Sequence, residues 1–455
     1  MKKNILIIII SVLILGIGAW LYWAVTNTPS PSSGPSVLEN IRNLFPIGRG
    51  NNANVGPIGT DAGMPAGESL INSPIPGQSN LSNYGVLTQI SNNPIGGADI
   101  VTLNGTSTPV FIDRASGNIY KVDSANLAIS HLTNSSLPTV YQSYWGWDKN
   151  SVKVLAYHGL DNGLELFAGA FKSNFITSTS SIDKPIELTG QPLNLSILDL
   201  AVSPRHDKVF YLTKGADGVL GFVSDWDLKN QKLVFRSPFS EWLASWPEDN
   251  IVVLQTKPAL GIIGYLYYLN LKTGVLTKML EGDDLSALVS PDLKKVIYTV
   301  GKGASLNLLQ IGNPSQDTPL GINTYPEKCV WTKDAKKIYC AAPVSLPKDV
   351  SIENWYRGEV SFTDNLWVVD AVYGSLKQTL NLTVKGGEGL DGVNLFLNKN
   401  GDYLFLTNKT DNTLWMADLK DAFPVPSSSI LPGKQATTSV ATSSPIATTT
   451  LKVGR

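Results

Sequence analysis

The chain has 455 residues, a formal net charge of −1, 16% charged residues, 11 Trp and 16 Tyr. That length can bury a sizeable core without metal or disulfide staples, and the charged fraction is low against a usual value of about 25%. No Lys/Arg cluster outweighs its acids, and the net charge is −3 without Lys2 and Lys3, which excludes a nucleic-acid binder.

The first element is apolar. Ile5 to Val25 is a run of 21 residues without a charge, enough helix to cross a hydrocarbon core of about 30 Å. Lys2 and Lys3 precede it and place the N-terminus in the cytoplasm, while Trp20, Tyr22 and Trp23 suit the far membrane interface. A cleaved signal peptide is the competing reading. It would have a shorter apolar region and a small-x-small cleavage site, which "WLYWAV" does not supply. The first Cys is Cys329, so lipoprotein processing is ruled out. The expectation is a signal anchor over residues 1–25, with everything after it outside the cytoplasm at the cell membrane.

Residues 26–83 are rich in Pro, Gly, Ser and Asn ("NTPSPSSGPS", "GRGNNANVGPIG"). Such a stretch buries too little apolar surface to offset its ordering entropy and reads as a flexible linker. Residues 424–455 form a second Ser/Thr/Pro-rich segment, read as a disordered tail.

Between them, over 84–423, one unit repeats: an apolar strand, a turn of Pro, Asp, Asn or Gly, and a second apolar strand. An aromatic-rich third strand and, after another turn, a fourth complete it. The first turn recurs at Leu103, Trp147, Ser203, Trp246, Ser290, Trp331 and Leu397, with gaps of 44, 56, 43, 44, 41 and 66 residues. Four of these gaps match the roughly 40–45 residues of a four-stranded propeller blade, and the two longer ones hold insertions. Seven turns predict an all-β, seven-bladed β-propeller of four-stranded antiparallel blades, preceded by one transmembrane helix. The last repeat has three clear strands. "YGVLTQIS" (Tyr84 to Ser91) precedes the first blade and is expected to pair with Thr413 to Leu419, closing the ring without a long unpaired edge.

"FIDRASGNIYKVD", "LTNSSLP", "SEWLASWP", "PEKCVWTKD", "NWYRGEVSFTDNLW" and "DYLFLTNKTDNTLW" resemble a family of membrane-anchored bacterial β-propellers with WD40-like and TolB-type repeats. The resemblance covers Leu87 to Leu419 and implies fold and topology; it brings no assigned activity or catalytic residue. The TolB-type turn is S-P-D-G. "SPRHDK", "WPEDN" and "TKDAKK" depart from it, which argues against carrying over an import role.

Motifs for chemistry are sparse. No G-x-S-x-G occurs. "SLPK" (Ser345 to Lys348) and "KTG" (Lys272 to Gly274) match penicillin-binding elements only in inverted order, and Pro347 opposes the helix turn required. The three histidines, His131, His158 and His206, fall in different blades, and no D-x-D-x-D-G loop appears, so no metal site is expected and no cofactor is implied.

Three features remain. Cys329 and Cys340 flank the turn at Asp334-Ala335 symmetrically, which places them opposite each other at a Cα separation of about 4.5–5.5 Å. A disulfide is expected outside the cytoplasm, and two buried thiols are the alternative. Asp99, Asp199, Glu241, Asp284, Glu327 and Asp391 stand four to six positions before their blade's turn. They form either an acidic rim for a cationic ligand or hydrated carboxylates of a wet channel. Finally, the blade-six insertion carries Trp355, Tyr356 and Arg357, residue types frequent at binding hot spots; packing over the blade edge is the alternative. The favoured reading is a non-enzymatic binding scaffold for a protein, peptide or envelope polymer, with the insertion contributing more than the rim. A carbohydrate-active lyase or hydrolase with paired carboxylates at the channel mouth is the alternative.

Overall fold

A computed structural model describes residues 83–419, apart from 85–86, 124–125, 136, 161–162, 174–184, 348–349 and 385–386. The expected anchor at Ile5–Val25, the linker up to residue 82 and the tail all lie outside the described residues. Among the described residues no helix is long and apolar enough to cross a membrane.

The described chain is a seven-bladed propeller, each blade a four-stranded antiparallel sheet, the seventh with an added strand. The innermost strands are Ile95–Leu103, Val140–Trp147, Ile197–Val202, Trp242–Glu248, Ser286–Val289, Cys329–Trp331 and Gly392–Leu397. In blade seven the outer place is taken from the other end of the chain. Leu87 lies opposite Ala417, Thr88 opposite Met416 and Gln89 opposite Trp415. The Leu414 N–H donates to Ser91 Oγ at 2.8 Å, which continues the closure past the strand. Tyr84 does not join that pairing. It folds back against Leu87 as part of a short fifth strand.

The repeated turn has a common chemistry. Ser290 Oγ accepts from the Lys295 N–H at 2.9 Å and donates to Asp292 at 2.7 Å. Thr332 does the same with Lys337 and Asp334, and Asn398 caps Asp402 and Tyr403 with its carboxamide oxygen. A short polar side chain that bonds its own turn is cheaper than an open backbone end, which is why the pattern recurs. The blades then pack through apolar faces. Tyr339, Leu366 and Val368 of blade six meet Leu395, Leu404 and Trp415 of blade seven, each fully buried side chain contributing about 1.5–3 kcal/mol. Blades two and three approach so closely that a Cβ at Gly146 would stand 2.2 Å from the Trp226 indole.

Cys329 and Cys340 are register partners and form a disulfide with a Cα separation of 4.1 Å. The longest gap between turns is filled by an insertion between the second and third strands of blade six. It carries a short helix, α1 (Ile352–Tyr356). Connections between blades, and between second and third strands, share one end of the ring, called the loop face below. The capped turns occupy the other end.

Candidate functional site

The loop face carries a cleft of about 580 Å³. One wall comes from two connections of blade four. Phe239 and Glu241 precede its first strand, Lys257 and Ile262 lie between its second and third, and Ile263 opens the third. The opposite wall is α1 with the residue after it, which present Glu353, Tyr356 and Arg357. The apolar part is unusually open. Phe239 is 52%, Ile262 60% and Ile263 53% exposed, with Leu260 beside them at 45%. Phe239 is steadied by the neighbouring Trp242, whose indole N–H donates to the Phe239 carbonyl at 3.1 Å.

The charged part sits at the base and edge. Lys257 Nζ is 3.8 Å from Glu241, whose carboxylate is more than half exposed. Burial pulls the Lys257 ammonium below its usual range, against the opposing influence of Glu241, Asp199 and Glu353. Arg357 is exposed and pairs with Glu359 at 3.8 Å. Apolar surface flanked by both signs of charge can hold a peptide or polymer segment.

The structure distributes the six carboxylates unevenly. Asp199 is buried and accepts from the Ala244 N–H at 2.5 Å, pinning blade three to blade four; burial pushes its carboxyl up to about 7. Asp99 is half-buried, bonds the Ile100 N–H and is likewise raised to about 7 by desolvation. Asp284 accepts from the Gly261 N–H at 2.5 Å, steadying the blade-four loop beside the cleft. Glu327 accepts from Ser286 Oγ at 2.8 Å and from the Tyr356 hydroxyl, and burial raises its pKa. Asp391 does not stand at a rim at all. It is fully buried beneath α1, where the ammonium of Lys328 and the indole of Trp355 reach it. Only Glu241 both lines the cleft and faces water. Most of these side chains bond neighbouring segments, because a carboxylate at the inner end of a blade meets an unpaired N–H or O–H before it meets solvent.

The three insertion residues divide. Trp355 is fully buried and lines no part of the cleft, whereas Tyr356, 8% exposed, and the exposed Arg357 both line it. Trp355 packs with Tyr325 and Phe362 at ring separations of 5.6 and 6.4 Å. Sequence reasoning missed Phe239, Lys257, Ile262 and Ile263. The signal was present as "KPALGII", an apolar run in a connection where a polar turn is expected. Among the described residues no group of three or more His, Cys, Asp or Glu could hold a metal ion.

Fold and cleft together define a seven-bladed propeller with an apolar, charge-edged site on its loop face. No protein-family model matches the sequence, and no curated protein matches it. Solved structures similar to it are propellers of several kinds. An oligogalacturonate lyase from Vibrio parahaemolyticus is 9% identical with a TM-score of 0.46, covering 74% of this chain and 95% of its own. TolB from Acinetobacter baumannii is 12% identical with a TM-score of 0.35, covering 70% and 78%. The β-propeller domain of Cps50 (Swd1) from Myceliophteria thermophila is 7% identical with a TM-score of 0.46, covering 73% and 99%. No activity is carried across at this level of likeness.

Proposed function

We propose that the protein is a non-enzymatic binding module, held at the cell membrane by Ile5–Val25 and presenting its propeller outside the cytoplasm. Its ligand is a protein or peptide segment, or an envelope polymer, gripped in the cleft between blade four and α1. One observation carries the reading: Phe239, Ile262 and Ile263 are each more than half exposed and line one wall of a single cleft. Exposed apolar surface gathered in this way is a liability unless something covers it.

A carbohydrate-active enzyme is the second reading. Glycosidic chemistry needs two carboxyl groups facing one substrate, and Glu241 and Glu353 both line the cleft. Asp199, Glu327 and Asp391 are committed to the Ala244 N–H, the Tyr356 hydroxyl and the Lys328 ammonium.

The test compares wild type with Phe239→Asp and Ile262→Asp in capture from an envelope fraction. Loss of the same retained component from both variants supports the module. Cleavage of envelope polysaccharide by wild type, abolished by Glu241→Gln, would overturn it in favour of the enzyme.

A further inference from the structure

The wall formed by α1 is five residues of helix, far shorter than an isolated helix needs to persist in water. Something else must hold it. Trp355, on its inner side, lines no part of the cleft and is fully buried. Its indole N–H donates to the two oxygens of Asp391 at 3.3 and 3.1 Å. The same carboxylate accepts from Ser361 Oγ and from the Phe362 N–H, both at 3.1 Å. Three donors from one insertion therefore converge on one group. Asp391 is ion-paired with Lys328, and Lys328 with Asp364 at 2.8 Å, all three fully buried. The Lys328 and Lys409 ammonium groups lie 5.2 and 5.3 Å from the centre of the Trp355 ring.

A buried ion pair rarely exceeds well-packed apolar side chains in net stability, so stability is a poor reason for this network to exist. Direction is a better one. Apolar packing alone would bury Trp355 and leave α1 free to rotate; hydrogen bonds to a fixed carboxylate do not.

We infer that Asp391 is a positioning residue for the binding site, holding α1 through Trp355 so that Glu353, Tyr356 and Arg357 face the blade-four loops. The inference rests on the cleft being the binding site. It explains why the blade-seven carboxylate is fully buried against the insertion. It also makes the insertion a preorganised wall, which lowers the ordering cost of binding.

The experiment uses the full chain in lipid nanodiscs and a fluorescein-labelled Leu-Phe-Ile-Lys peptide, read by anisotropy, with hydrogen exchange followed across 351–363. Its apolar side chains match the Phe239 wall and its cation matches Glu241. Trp355→Phe removes the indole donor and keeps a ring in place. The expected result is binding weakened by about fivefold or more, faster exchange confined to the insertion, and a single cooperative unfolding transition retained. Asp391→Asn, which keeps an oxygen for the indole, should retain more binding than Asp391→Leu. Equal loss in both would reduce Asp391 to a plain ion-pair partner and contradict the role, and wild-type binding by Trp355→Phe would overturn it.

Phe239→Ala, on the wall remote from the network, separates the two claims. If wild type fails to bind the peptide, or Phe239→Ala binds as well as wild type, the cleft reading fails and the inference falls with it. If Phe239→Ala weakens binding and Trp355→Phe does not, only the positioning role fails. Should Trp355→Phe not fold, Ser361→Ala removes a single donor to Asp391 and should weaken binding in the same direction. No change there contradicts the proposal.

Discussion

The Tyr356 hydroxyl donates to Glu327 Oε1 at 2.5 Å, tying the blade-six insertion to a carboxylate at the start of that blade's inner strand. In sequence the inner-strand carboxylates and the insertion look like rival binding sites. In the structure they are donor and acceptor of one assembly, with Trp355 and Asp391 repeating the arrangement. Replacing either partner therefore disturbs both, and the exposed apolar wall on blade four becomes the place where binding can be probed cleanly.

Ring closure gives the first prediction. Leu87 is 1% exposed and packs among Trp415, Leu404 and Leu366. Deleting residues 83–91 exposes the backbone edge of the strand Leu414–Asp418 and uncovers that core. The shortened chain should aggregate, as sedimentation would show, while truncation after residue 423 should leave a soluble ring.

The disulfide gives the second. Cys329 and Cys340 are 11 residues apart in a hairpin that already pairs, so little loop entropy is removed by linking them. Cys329→Ser with Cys340→Ser should cost about 2–3 kcal/mol in denaturant unfolding and leave peptide binding intact, since neither residue lines the cleft.

Asp199 gives the third. Burial raises its carboxyl from 3.8 to about 7, so between those values the folded chain holds a proton that the unfolded chain has released. The sign follows from linkage: stability falls as pH rises from about 4 to about 7 and is level above. Asp199→Asn keeps an oxygen for the Ala244 N–H and has no charge to desolvate. The variant should gain on wild type across that window, reaching of order 1–4 kcal/mol by pH 8, measured as a pH series of unfolding midpoints. A constant difference from pH 4 to pH 8 would contradict the assignment.

How much of this was legible beforehand depended on distance along the chain. The capped turns were readable because Ser290, Asp292 and Lys295 meet within six residues. The cysteine pairing and the role of Leu87 followed from strand order alone. The site was less legible. Spacing before a turn locates Asp391 along its strand, but not the Trp355 indole that reaches it from 36 residues away. Trp and Tyr serve cores and interfaces equally well, so the cluster in the insertion carried no mark of which it was. No spacing or motif singles out Lys328, Asp364 or Lys409, yet all three are buried. Only "KPALGII" broke a local rule openly, and it lies at the cleft.

The account stands on Ile262 being where the ligand sits. A photocrosslinking amino acid at Ile262, which is 60% exposed in the cleft wall, is the most direct test. Tyr373, 84% exposed on the opposite end of the ring, is the matched control. Irradiation of the full chain with its envelope fraction should give one discrete adduct from position 262 and none from 373. An adduct from 373 with none from 262 would place the ligand on the turn face and contradict the account.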